Sequence, residues 1–193
     1  MNAYVALAAG EPVRRLAADI LVMTDDARRL TTEDLSARQR KGLTQRITGM
    51  TAQLPLSAKA AREDAPALPV FPKDAVASLQ AALAAENPDG LMAPLEHLNK
   101  LYPFPTIGLL PPDARADTAA KRIHQKYCAV CHDKPNLDVQ RPAWNLFEMA
   151  RGMTPDVLAA RLVIGIKGEH LMALENPLTD SEISALIAYY QGK

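Results

Sequence analysis

The stretch KYCAVCHDKP, Lys126 to Pro135, contains both cysteines of the chain, Cys128 and Cys131, with His132 directly behind the second. Two thiols separated by two residues, on a helix running into a turn, can face one side. So placed, they can add to the two vinyl groups of one porphyrin and form thioethers. The adjacent imidazole then lies under the ring and can ligate its iron. C-x-x-C-H is the signature of c-type haem attachment, and it points to one covalently held haem c. A structural zinc site usually needs four Cys or His ligands, whereas this chain has two Cys, four His and no second CxxC. A redox dithiol of the thioredoxin kind wants a βαβ setting, and alternating β-branched runs are missing here.

A histidine on one face of a haem leaves the opposite face open. Met172 follows His132 by 40 positions, in the segment IGIKGEHLMALENPLTDSEISALIAYYQ. It falls in a loop between two helices, which can return to the far side. A thioether sulfur there favours ferrous iron and raises the potential. His170 is the rival and would give bis-His ligation at a lower potential. Met149 and Met153, in FEMARGM, are further alternatives and otherwise pack in a core. His124 lies one turn before Cys128, on the side of the proximal ligand, which makes it a poor distal one. His97 reads as a surface helix residue, and Met23, Met50 and Met92 as core.

The elements that must position these residues are helical. Leu16, Ile20 and Met23 recur at helical spacing in Val13–Leu30. TTED, from Thr31, reads as a capping box in which Thr32 opens a second helix, with Leu35, Leu43, Ile47, Met50 and Leu54 near one face. Pro72–Ala85 and Leu91–Leu101 complete a set of four, separated by the turn NPDG, and a bundle is their simplest arrangement. A proline-rich connector, residues 102–112, divides this N-terminal region, residues 1–101, from the part carrying the cysteines. Beyond it, Asp113–Tyr127 runs into the motif. TPDV caps Thr154–Ile164, and TDSE is a capping box for Thr179–Tyr190. The expected fold class is all-α.

Residues 113–193 resemble a class I cytochrome c domain. The resemblance rests on AAKRIHQKYCAVCH, the loop with Met172, and LTDSEISALIAYYQ. It implies a first helix ending in CxxCH, crossed steeply by a last helix through small and aromatic residues. Ala120 stands at the small position and His124 where an aromatic is common. Ala188 and Tyr189 match the small–aromatic patch on the closing helix. The resemblance further implies that a backbone carbonyl near a proline accepts the proximal imidazole N–H, with Pro142 better spaced than Pro135. Two departures stand out. Ala173, not proline, follows Met172, and DKPNLDVQRPAWN replaces the usual glycine-rich stretch after CxxCH. Trp144, within that stretch, reads as core or as a wall at the haem edge rather than as an electron relay. The N-terminal hundred residues resemble no family.

A haem held axially from both sides has no open iron position. The expected role is therefore one-electron transfer, not catalysis. The alternatives are a haem enzyme or gas or peroxide sensor with a labile distal ligand, or a haem subunit tethered to a larger redox enzyme. The chain carries 22 basic and 22 acidic residues, which excludes the basic footprint of a nucleic-acid binder. Residues 113–193 balance too, ten against ten, so recognition of redox protein partners rests on a local apolar rim rather than on long-range steering. The basic run Arg38–Met50 reads as a solvated helix face, or more sharply as a docking surface for an acidic partner. No apolar run reaches the length of a membrane span. Val5–Gly10 is too short, and lacks the basic flank, for an intact signal peptide. Haem attachment of this kind takes place on the exported side of a bacterial membrane. The expected location is the periplasm, reached with a leader that this sequence does not contain.

Overall fold

A computed structural model describes residues 10–105, 116–135, 143–165 and 178–192. The described residues are all-α, with no strand among them. The chain divides into two compact units, Met1–Pro105 and Thr106–Lys193. The division falls inside the stretch read as a connector.

In the first unit, α1 spans Glu11–Thr32, α2 Ala37–Asp64, α3 Ala75–Ala84 and α4 Asp89–Leu101. α1 packs on α2 and α4, and α3 packs on the same two, which closes a four-helix ring. Its interior holds Leu16, Ile20, Met23, Ile47, Leu54, Leu79, Leu91, Leu95 and Leu98. The spacing of Leu91, Leu95 and Leu98 is the i, i+4, i+7 stripe that a core-facing helix requires. Met23 and Met50 are core as expected, Met92 is half-buried, and His97 lies on the surface.

The first helix boundary differs from the expected one. Thr32 does not open α2; it ends α1, and its hydroxyl donates to the carbonyl of Arg28 at 2.9 Å. Arg29 and Glu33 pair at 3.0 Å over the same turn. The cap of α2 is Ser36, whose hydroxyl accepts from Gln39 N while the Gln39 side chain accepts from Ser36 N. The same box chemistry thus operates four residues later, in SARQ. Leu35 falls in the turn before it, half-buried, and Leu43, Ile47, Met50 and Leu54 are buried. α2 also continues past Leu54 through Pro55, because Ala58 and Ala61 still find the core.

Two of the cations in the basic run are committed internally. Arg46 Nε lies 2.7 Å from the fully buried Asp26 carboxylate, and Arg40 donates to the carbonyl of Leu30 at 3.0 Å. A buried carboxylate needs such a partner, since desolvation penalises an uncompensated charge severely. The proline-rich stretch before α3 is tied down as well. Tyr102 donates to the carbonyl of Pro69 at 2.9 Å and stacks on Phe71, with ring centroids 6.1 Å apart.

In the second unit, α5 spans Ala116–Ile123 and passes through a π-helical turn, His124–Cys128, into α6, Ala129–His132. α7 is Leu146–Arg151, α8 Pro155–Ile164 and α9 Asp180–Gln191. α5, α7 and α8 all pack against α9. The expected caps are in place: Thr154 accepts from Val157 N, and Thr179 with Glu182 forms a full capping box. α9 ends at Gly192, whose φ of 68° suits a residue without Cβ. Gln191 donates to the carbonyls of Ala150 and Met153, which joins the end of α9 to the end of α7. α7 was not expected; six residues are too few to establish a helical period.

Leu95→Ala is expected to destabilise the first unit by about 2–5 kcal/mol, through lost burial plus a cavity. Ser36→Ala should cost about 1 kcal/mol through the lost cap. Urea titration followed by circular dichroism checks both, and a Ser36→Ala midpoint equal to that of the parent would contradict the assignment of the cap.

Candidate functional site

α5, the π turn and α6 form one continuous run that delivers Cys128, Cys131 and His132. The π turn adds one residue to a helical turn at His124–Cys128, a feature that clusters at functional sites. It leaves Cys128 buried, 8% exposed, and Cys131 exposed, both as free thiols. Burial pushes the Cys128 thiol up from its ordinary pKa. A hydrogen bond with Tyr190 opposes that rise, and the Asp133 and Cys131 charges add to it.

His132 is buried, and its ring is held at one end. Nδ1 lies 2.6 Å from the carbonyl oxygen of Trp144, and a carbonyl can only accept. Nδ1 therefore carries the proton, and Nε2 presents a lone pair. Nε2 is buried and has no hydrogen-bond partner. A buried acceptor left unmatched costs about 1–3 kcal/mol. That orphaned lone pair, with two thiols one and four residues before it, is what an axial iron ligand beside a thioether-linked porphyrin requires.

The carbonyl that orients His132 belongs to Trp144, two residues beyond the expected Pro142, which lies outside the described residues. The acceptor thus lies nearer in the chain to Pro142 than to Pro135. The Trp144 ring is 37% exposed, so it is not a core side chain, and its contribution to His132 is its backbone. Asn145 fixes that backbone: its side chain caps α7 by accepting from Phe147 N and Glu148 N.

Behind the motif, α5 meets α9. Ala120 is fully buried, as the small position at a helix crossing must be. His124 fills the expected aromatic position, with ring centroids 5.5 Å from Phe147, 5.9 Å from Tyr189 and 5.6 Å from Tyr190. Unlike an apolar ring, it is bonded at both ends, Nδ1 to the Tyr190 hydroxyl and Nε2 to Asp133 Oδ1, each at 2.9 Å. Sequence reasoning missed Tyr190 and Asp133. The available signals were a histidine in an aromatic position and a carboxylate directly after His132.

Met172, the expected distal ligand, and its rival His170 lie outside the described residues. Met149 and Met153 are half-buried. Among the described residues, no group of three or more His, Cys, Asp or Glu side chains could hold a metal ion by itself. Compared with protein-family models, curated proteins and solved structures, the chain matches none.

Asn145→Ala should lower stability by about 1 kcal/mol through loss of the α7 cap. It should also speed exchange of the His132 Nδ1 proton, by freeing the Trp144 carbonyl. Thermal melts and imidazole proton NMR of the full chain read the two effects, and an unchanged exchange rate would separate the cap from the histidine.

Proposed function

We propose that this chain is a one-electron carrier with a single covalently attached haem c. The observation that carries the reading is the buried, unmatched Nε2 of His132 at the end of C-x-x-C-H, its ring fixed by the Trp144 carbonyl. Cys128 and Cys131 would hold the group as thioethers, His132 would be the proximal ligand and Met172 the distal one. When bound, the haem supplies an iron centre that gains and loses one electron.

The residues of the chain account for the rest. The Nδ1–H bond to Trp144 fixes the tautomer and makes His132 a stronger donor. Ile123, Ile183, Leu186 and Ile187 place apolar bulk in the interior of the unit, which keeps water from reorganising around a change of charge. Val130, between the two cysteines, is 86% exposed, and Tyr127 is exposed beside it. These side chains supply the apolar rim against which a redox protein partner can dock, as the balanced charge of the region demands. Among the described residues, no helix is long and apolar enough to cross a membrane. The proposal places the protein in the periplasm, where haem attachment of this kind takes place.

Expression in a host competent for cytochrome c maturation should give a polypeptide heavier by one haem. Cys128→Ala or Cys131→Ala should reduce the attachment to one thioether or abolish it. Intact-mass spectrometry decides, and a bare polypeptide mass for the parent chain would end the reading. The oxidised protein should also show a weak sulfur-to-iron band at the red end of its spectrum that Met172→Ala removes. Rapid carbon monoxide binding by the reduced protein would instead favour the sensor or enzyme alternative.

A further inference from the structure

Among the described residues of the first unit, Leu56 and Val70 are the large apolar side chains left exposed, at 72% and 66%. Val70 lines a groove of about 520 Å³, and Leu56 directly follows Pro55, which lines it too. One wall of the groove is α2. Pro55, Ala58, Lys59, Arg62 and Glu63 line it at i, i+3, i+4, i+7 and i+8, which is one face of a helix. The buried Ala58 gives the groove its depth, because it carries only a methyl group between longer side chains. The opposite wall is formed by residues 70–73 and Val76, where the chain leads into α3. That wall is tied down. Phe71 stacks on Tyr102, and the Tyr102 hydroxyl donates to the carbonyl of Pro69 at 2.9 Å. The groove is therefore preformed, and its volume falls within the roughly 300–1,000 Å³ of small-molecule sites.

The charge of the lining is one-sided. Lys59, Arg62 and Lys73 stand against a single carboxylate, Glu63. Lys59 and Glu63 pair with each other at 3.8 Å. Among the described residues, Arg62 and Lys73 pair with no carboxylate. Asp74, beside Lys73 in the chain, is not part of the lining. We propose that this groove binds a monomeric anionic amphiphile, a carboxylate carrying an unbranched apolar chain. The apolar chain covers Ala58, Val70, Phe71 and Val76, and the carboxylate faces Arg62 and Lys73. A guanidinium can take both oxygens of a carboxylate at once, and the lysine adds a point charge. A concave site suits one molecule rather than the flat face of a bilayer. A protein interface takes about 20–30 residues a side, whereas ten line this groove. The site lies wholly within the first unit, and it stands or falls independently of the haem reading.

The test is calorimetric titration of the full chain with decanoate, with decanol and decyltrimethylammonium as neutral and cationic probes of the same chain length. Decanoate should bind with a submillimolar Kd, decanol at least about fivefold more weakly, and the cation not at all. Val70→Asp removes apolar wall and adds a repelling charge, and the double variant Arg62→Gln, Lys73→Gln removes the two open cations. Both change exposed side chains, so circular dichroism should match the parent. Each should weaken decanoate by at least about fivefold. No heat with decanoate, or one affinity shared by the parent and Val70→Asp, overturns the site, wherever else on the chain decanoate binds. Equal binding of decanol and decanoate overturns the anionic class. Protein bound to phosphatidylglycerol vesicles but not to decanoate, or a dimer that Val70→Asp dissociates, would give the groove another occupant and overturn the proposal.

Discussion

The hydrogen bond from His132 Nδ1 to the Trp144 carbonyl is the constraint on which the second unit depends. An imidazole has two polar ends, and burying both is tolerable only if each finds a partner. Here one end is satisfied by a backbone that the Asn145 cap and α7 hold in place. The other end keeps a lone pair with no donor near it. The fold thus meets the cost of orienting the ring and leaves one specific vacancy in its bonding, at the atom that the C-x-x-C-H spacing singles out.

The contact between α5 and α9 supports that arrangement from behind. Ala120 lets the two helices approach, and the rings of His124, Phe147, Tyr189 and Tyr190 fill the space beside them. Edge-to-face packing in such a cluster adds about 0.5–1.5 kcal/mol per pair beyond burial. The polar links from His124 to Tyr190 and Asp133 add direction to that packing. The closing helix is therefore registered against the run that carries His132, and does not merely lie against it.

Much of this was legible in the residues, and what was not has identifiable physical causes. The capping residues Thr154 and Thr179 and the stripe of Leu91, Leu95 and Leu98 are local signals, and each marks a real helix. Thr32 misled because TTED satisfies the box pattern, yet its hydroxyl is drawn to the preceding turn, leaving SARQ to do the capping. Pro55 lies within α2, where the burial of Ala58 and Ala61 carries the helix past it. In the candidate site, Cys128, Cys131 and His132 are neighbours in the chain and are visible as one motif. The partners of His132 and His124 are not visible in that way. A carbonyl acceptor leaves no mark on residue type, and the pairing of His124 with Tyr190 spans 66 positions.

The π turn at His124–Cys128 sets how freely this region can change its length. That turn takes up one residue more than an ordinary helical turn, so removing one there would restore the α winding and leave the helix upstream facing α9 much as before. C-x-x-C-H would survive such a deletion letter for letter. Ala120 would keep its place at the helix crossing, and the motif would still be backed by α9. The four residues ahead of Cys128 are thus a spacer that can shorten by one, unlike the two residues between its thiols.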